Sequence, residues 1–556
     1  MAKKQNPKAA VSTENWTMPT DEITPTNTPK WLYPAISILF LAIIWFARTN
    51  LFSLPFERDE GYYSYMGKLL LEGGRPYIDF YEMKLPGLFY AYASVVAFFG
   101  GSVESMHLGF GIVNFISAFV VWHIAKHLFN DMAAMAASVS FAILSLNKSA
   151  SGFAAQGEHL VVLFAALGIL FTVKAISSGK AWQYVLAGAA LAMAMMIKQS
   201  GVFFAVGAGA MVVLANSKPF DFFKIVKNAG LMIGGFLAIV GVFLLLMIKN
   251  GAYEQMNYFV FGVAQEYVKS LDFDFGMERL RGSLTDITKG YTGYWTLGFL
   301  GVVLPWFTSL DFYKKLGISV LAIAAFASVT PGLRFYGHYY MQFMLGLSLL
   351  IAAGIYSIGA IMEEKMKVSS GKIAATFIFV LSSIVVIAGQ KDYYFSPNNF
   401  KIMREVYGDN PFPETKAIAD YIKANSRDNS PIVVFGSEPQ IYFETGRKSV
   451  SRHSFIAFTS PMNDVAKGWR EEFKADVEKS KPEYLVLVVH QFSWLFPADS
   501  DQDLLKWGFN YASQNQYTMV GVADMLPGNK PTLVWDAAAP NYKPKGEKYL
   551  YIFRKK

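Results

Sequence analysis

The chain has 556 residues, 53% hydrophobic and 17% charged, where a soluble domain runs at roughly 45 to 50% and about 25%, so a wholly soluble protein is excluded. With no cysteine, disulfide frameworks, thiolate metal sites and cysteine nucleophiles are excluded as well. The net charge of +8, from 50 Lys and Arg against 42 Asp and Glu, is the excess that multi-pass proteins collect in cytoplasmic loops and gives no reason to expect nucleic acid.

Residues 1–30 form a Thr, Pro, Asn and Lys tail too poor in large apolar side chains to repay its ordering entropy, and a disordered cytoplasmic tail is expected there. The apolar run near 32–54 has no small-residue cleavage pattern and is expected to stay as a first span. Ten further runs follow, at 107–125, 132–146, 159–176, 183–197, 201–216, 229–248, 291–309, 317–330, 338–361 and 373–389. The expected fold is therefore an α-helical polytopic membrane protein of about 11 transmembrane helices over 31–390. Alternate loops carry Lys126; Lys174 and Lys180; Lys218, Lys224 and Lys227; Lys314 and Lys315; and Lys365, Lys367 and Lys372. Positive-inside logic makes these cytoplasmic, which puts the N-terminus inside and the C-terminus outside a cell membrane.

The outer pieces carry the unusual residues. In the first, 52–106, Tyr62, Tyr65, Met66, Leu69 and Leu70 recur at helical spacing before Gly73 and Gly74, which predicts an interfacial helix lying on the membrane. Residues 85–101 are apolar, but a span there would move every later lysine loop to the wrong side, so they are read as a helix in the outer leaflet. The 249–290 loop has Met256, Phe259, Val260 and Val263 at helical spacing and is a candidate lid along the interface. After 390 the composition turns polar, with a helical pattern at 414–425 and β-rich runs at 431–435, 484–489 and 549–553, which predicts a C-terminal extracytoplasmic α/β domain over 391–556.

Ionisable residues gather at the outer rim: Arg58, Asp59, Glu60, Lys84, Glu158, His159, Lys198, Arg334 and His338. Singly they have plain readings as caps, anchors or snorkelling side chains. Together they suggest a wet, charged site, because charge near hydrocarbon is costly.

The stretch FERDEGYYSYMGKLLLEGGRPYIDFYEMKLPGLFY (56–90) resembles the first outer loop of the GT-C glycosyltransferases, in particular the family of protein O-mannosyltransferases and the aminoarabinose transferase of lipid A. Asp59 and Glu60 match the acidic pair, and Lys84 with Pro86 matches the Lys-Pro motif, with Leu85 where the family often has a further proline. Gln156, Gly157 and Glu158, the segment MIKQSG (196–201), RFYGHYYMQ (334–342) and FGSEPQIYFETGR (435–447) are further points of likeness. The resemblance implies inverting transfer from a polyprenyl-phosphate sugar donor to an extracytoplasmic lipid, protein or envelope-glycan acceptor, among membrane lipids and with no cofactor required. Asp59 is then the candidate base for the acceptor hydroxyl, and Glu60 shapes its field or binds sugar hydroxyls. Lys84, Lys198 and Arg334 are candidates to meet the leaving phosphate, with Arg58 in reserve and His338 as a hydrogen-bond donor. Glu158, His159, Gln199 and Tyr62 are candidates for acceptor or sugar contacts, Glu158 also for orienting a lysine.

Asp272 and Asp274 form a DxD, a weak candidate for a divalent metal if the chain there is extended. No HExxH, Walker loop or dinucleotide fingerprint is present. Two rivals share these features. A lipid-linked polysaccharide ligase or polymerase would use the same donor class. A lipid or sugar transporter or flippase would place its charges near the midplane of broken helices, often in repeated halves, and no repeat is visible.

Overall fold

The computed structural model describes residues 29–217, 219–265, 272–494, 502–526 and 530–556. Nearly all of the expected tail thus lies outside the described residues. Helix α1 (Leu32–Leu51) leads into two helices of the first outer segment, α2 (Arg58–Leu71) and α3 (Gly87–Phe99). Then come α4 (Val103–Leu128), α5 (Asp131–Leu144), α6 (Gly157–Ser178), α7 (Ala181–Ile197), α8 (Val202–Ala215) and α9 (Phe222–Lys249). A short turn, Tyr253–Asn257, and a π-helical turn, Tyr258–Val263, precede α10 (Phe273–Thr288), and α11 (Thr292–Val303), α12 (Phe312–Ala327), α13 (Tyr340–Glu364) and α14 (Gly371–Gly389) complete the bundle.

Every expected span has its helix, and six of the helices, α1, α4, α6, α9, α13 and α14, are long and apolar enough to cross a membrane. Caps set the boundaries: Ser102 and Ser105 form a capping box at α4, and the side chains of Asn130, Asp221 and Asp311 accept from the first turns of α5, α9 and α12. α7 and α9 approach so closely that a Cβ on Gly188 would strike the Met232 carbonyl. One end of the bundle is drawn together by polar contacts. Arg48 donates to the carbonyls of Ser145 (2.9 Å) and Gly152 (3.1 Å), and the Asn147 amide donates to the Ile287 carbonyl (3.0 Å).

At that same end sits the C-terminal α/β unit. It contains α15 (Asn399–Tyr407), α16 (Phe412–Asn425), α17 (Gln440–Thr445), α18 (Asp464–Ser480) and α19 (Asp503–Gln514). Its sheet has five strands, β1 (Ile432–Phe435), β2 (Tyr484–Val489), β3 (Tyr517–Met525), β4 (Thr532–Trp535) and β5 (Lys548–Lys555), in the order β1-β2-β5-β3-β4. β1 and β2 are parallel and the other pairs antiparallel. β3 and β4 are additions to the three predicted strands. β3 is interrupted by Gly521 and a register shift between Met519 and Gly521, and β4 is a four-residue edge, so neither carries a clean alternation.

Two expectations about the outer pieces are corrected. α2 does not lie on the membrane by one apolar face: Gly61, Tyr62, Tyr63, Ser64, Tyr65, Met66 and Gly67 are all buried, because the helix is sandwiched between α3 and α17. Tyr65 stacks on Tyr442 and Tyr63 meets Tyr92 edge-on. In the 249–290 loop Met256, Phe259 and Val260 are buried, but against protein. Phe259 stacks on Tyr81 of the first outer segment (4.3 Å) and on Trp469 of α18 (5.9 Å). Residues 266–271, within the candidate lid, lie outside the described residues.

Candidate functional site

The site is organised by the first turn of α2. The Glu57 carboxylate accepts from the Glu60 amide (2.7 Å) and the Glu60 carboxylate accepts from the Glu57 amide (2.8 Å), a reciprocal cap that satisfies two helix-end donors. Glu60 is fully buried, and its second oxygen lies 2.9 Å from His107 Nε2 and accepts from the Ala155 amide at 2.6 Å. The Gln156 side-chain amide donates to Glu57 at 2.7 Å. Burial, with Asp59 and Glu60 close by, pushes the Glu57 carboxyl well above the usual carboxylate range. These bonds tie the start of α2 to α4 and to the entry of α6. They leave Asp59, the next residue but one after the cap, half-buried with no hydrogen bond or ion pair among the described residues.

Two lysines share the electrostatic surroundings of Asp59. Lys84 Nζ is 3.3 Å from Glu82 and 5.0 Å from the centroid of the Tyr63 ring. Burial works against its charge, but Glu82, Asp59 and Glu158 outweigh that effect and hold its pKa above the ordinary lysine value. Its loop is pinned by Tyr77, whose hydroxyl donates to the Lys84 carbonyl (2.7 Å), and by Gln199, whose amide donates to the Met83 carbonyl (2.7 Å). Lys198 sits where α7 breaks: its backbone is extended (φ −149°, ψ 130°), which turns its side chain out of the helix ladder. Its ammonium pairs with buried Glu158 and lies 3.4 Å from the Tyr339 ring centroid. His338 Nε2 is 3.9 Å from the same Glu158 oxygen. The Asp59 carboxylate thus lies within electrostatic reach of two half-buried, acid-anchored lysines and an imidazole, drawn from the loop before α3, the α7/α8 break and the turn before α13.

The remaining sequence candidates fall elsewhere. Glu60 is fully buried, with both carboxylate oxygens engaged by its cap, His107 and Ala155, so a sugar does not reach it. Arg58 points into the C-terminal domain, donating to the Ser437 carbonyl and pairing with Glu438. Tyr62 is buried with its hydroxyl donating to the Tyr81 carbonyl (2.6 Å), and His159 is buried in the bundle against Asn114 (3.0 Å). Gln199 holds the Lys84 loop. Arg334 is half-buried on the turn leading to His338. Asp272 and Asp274 are the N-cap and first turn of α10, both exposed, so the extended pair a DxD metal site needs is not formed; among the described residues no group of three or more His, Asp or Glu could hold a metal.

Sequence reasoning missed Glu82, Tyr63, Tyr339 and Arg279. Glu82 was findable as an acid two residues before Lys84, close enough along the chain to pair with it. Tyr339 and Arg279 were not, because only the fold brings them in. The Arg279 guanidinium lies 5.4 Å from the Tyr336 ring centroid, and Tyr336 stacks on His338. A separate cavity of about 500 Å³ opens at the far end of α2 beside Glu72, Lys448, Arg452 and Glu472. Lys448 pairs with Glu72 across the seam to the first outer segment (3.0 Å), and Arg452 with Glu472 within the C-terminal domain (2.8 Å).

Residues 84–247 match the family model for dolichyl-phosphate-mannose-protein mannosyltransferase. That stretch begins at Lys84 and takes in Glu158 and Lys198. Over the whole chain the fold is similar to that of ArnT from Cupriavidus metallidurans bound to undecaprenyl phosphate, with a TM-score of 0.59 and 12% identity over 94% of this chain and 98% of that one. The chain shares its fold with ArnT. The apo form of the same ArnT superposes with a TM-score of 0.56 at 13% identity, covering 94% of this chain and 97% of the other. The Archaeoglobus fulgidus oligosaccharyltransferase tethered to an acceptor peptide gives 0.51 at 11% identity, covering 93% and 75%. No curated protein matches the sequence. Together with this shared fold, the six helices long and apolar enough to cross a membrane make this a multi-pass membrane protein.

Proposed function

We propose that this chain is a GT-C glycosyltransferase that moves a single sugar, with inversion, from a polyprenyl-phosphate donor to an acceptor hydroxyl on the outer face of the membrane. The observation that carries the reading is the Asp59 carboxylate, without a side-chain hydrogen bond or ion pair among the described residues, in the electrostatic surroundings of the half-buried Lys84 and Lys198, each held by its own acid. In that geometry Asp59 takes the proton of the acceptor hydroxyl as its oxygen attacks the anomeric carbon. The bond from that carbon to the phosphate oxygen breaks, its electron pair leaves with the polyprenyl phosphate, and the lysines meet the growing charge. A positioned base contributes roughly 10²–10⁴-fold and a preorganised charge partner roughly 10²–10³-fold. Glu158 serves as the anchor that aims Lys198, and Glu82 does the same for Lys84. The lipid phosphate bound by ArnT and the matched mannosyltransferase family support this donor class. The partners are thus a polyprenyl-phosphate sugar and an envelope lipid, protein or glycan; no metal is assigned a part.

The test is transfer from a panel of polyprenyl-phosphate sugars by the purified protein in nanodiscs, with and without EDTA. Asp59→Asn is expected to lower kcat by about 10³-fold with donor binding kept, and EDTA to leave the wild type unchanged. Full transfer by Asp59→Asn would remove Asp59 as the base, and consumption of no donor by folded wild type would remove the transferase reading of this site.

A further inference from the structure

The first turn of α2 is gripped from its other side by the C-terminal domain. After β1 the chain turns through Gly436, Ser437, Glu438 and Pro439 into α17. That turn is itself rigidly built: the Ser437 amide donates to the Ser493 carbonyl (3.1 Å) and hydroxyl (2.9 Å), and Ser437 Oγ accepts from the Ala457 amide (2.8 Å). Glu438 is fully buried, with one oxygen accepting from the Ser493 hydroxyl at 2.5 Å. Its other oxygen meets Arg58, the residue beside Asp59, at 3.2 Å. Arg58 also donates through Nε to the Ser437 carbonyl (2.6 Å) and through Nη2 to Asn410 Oδ1 (3.5 Å), with Phe412 packed against the guanidinium at 5.5 Å. Three residues on, Gly61 admits no side chain: a Cβ there would lie 2.8 Å from the Cα of Gln440.

A planar guanidinium fork bound at a backbone carbonyl and a buried carboxylate together fixes rotation as well as distance. Any slide or roll of the first turn of α2 would break that fork or drive Gly61 into Gln440. Asp59 sits on that turn without a hydrogen bond of its own, so its aim is inherited from its neighbours, and misplacing a reacting group by about 1 Å can cost on the order of 10²-fold.

We propose that Glu438 is a positioning residue for the Asp59 base, acting through Arg58, so that the turn at 436–439 of the C-terminal domain sets the geometry of transfer in the membrane module. This rests on Asp59 being the base.

The test uses the full chain in nanodiscs, with the polyprenyl-phosphate sugar that wild type consumes as substrate and undecaprenyl phosphate as the binding probe. Glu438→Ala is expected to lower kcat about 10- to 100-fold while KM for the donor and the Kd for undecaprenyl phosphate stay within about twofold. Glu438→Gln, which keeps the shape and one acceptor for Arg58, is expected to regain most of the rate. Placed on Arg58→Ala, Glu438→Ala is expected to change kcat by less than about twofold, since the two act in series. Unchanged kcat in Glu438→Ala, an equal loss of donor binding, or additive losses in the double variant each overturn the proposal. If Glu438→Ala proves unfolded by size exclusion, Ser493→Ala decides. It releases one Glu438 oxygen and is expected to lower kcat about 2- to 5-fold with binding intact, and a wild-type kcat there overturns the proposal. Retained transfer in Asp59→Asn removes the base itself, whereas an inactive Asp59→Asn beside a fully active Glu438→Ala removes only the positioning role.

Discussion

At the scale of single residues, the acids Asp59 and Glu60 look interchangeable in the sequence and have opposite fates. Both Glu60 carboxylate oxygens are engaged, by a helix cap, a histidine and a backbone amide, while the Asp59 side chain makes no hydrogen bond among the described residues. Their substitutions should separate accordingly. Glu60→Ala leaves His107 Nε2 and the Ala155 amide buried without a partner, and a loss of about 3 kcal/mol of stability is expected, read as a lowered Tm with donor KM unchanged. Lys84→Ala or Lys198→Ala should do the reverse, weakening undecaprenyl phosphate binding by about tenfold or more with a smaller change in Tm. Binding at wild-type strength in both would take the lysines away from the phosphate. The candidate set was legible because ionisable residues beside apolar runs stand out in a membrane protein. Which of them face one another was not, since a carboxylate in a cap and a carboxylate in a site have the same letter and the same neighbours along the chain.

At the scale of elements, the helix carrying Asp59 is the junction between the two parts of the molecule. α17 closes on it from the C-terminal domain, and that contact also holds a strained acid. Glu444 is half-buried with one oxygen lacking a hydrogen bond, and burial pushes its pKa up to about 8, opposed by Lys416. In the unfolded chain such a carboxyl releases its proton near 4.3, roughly. Between these values the folded state holds a proton that the unfolded state has lost, so stability falls as pH rises through this window and the loss is complete above about 8. Glu444→Gln is therefore expected to raise Tm at pH 9 and barely at pH 4, and equal effects at both would show that the carboxyl is not desolvated. The periodicity of α2 was readable, but its surroundings were not. An apolar stripe predicts one buried face, and only the packing of α3 and α17 on opposite sides explains why Ser64 and Gly67 are buried as well.

At the scale of the whole molecule, the end of α1 and the segment after α5 both reach the C-terminal domain, Asn50 donating to the Tyr394 carbonyl (3.3 Å) and Lys148 pairing with Glu405 (3.0 Å). The absence of cysteine permits a clean check of orientation. In sealed right-side-out vesicles, a membrane-impermeant maleimide should label a Lys545→Cys variant and leave Lys367→Cys unlabelled until the vesicles are opened; both positions are exposed in the structure. The opposite pattern would invert the lysine-based topology and place the Asp59 site on the cytoplasmic side.

The sequence by itself determined the membrane class, the positions of the apolar helices, the presence of a polar α/β unit after residue 390 and the pool of charged residues from which the site is drawn. Those properties are local: hydrophobic runs, caps and charge placement act within a few residues, and the cost of desolvating charge marks the exceptions. Tertiary structure alone decided that Lys198 is aimed by Glu158, that Lys84 leans on Tyr63 and Glu82, and that Arg58 serves the C-terminal domain. These are contacts between segments as far as 380 residues apart in sequence. They are set by which helix faces pack, and no periodicity along the chain records that choice.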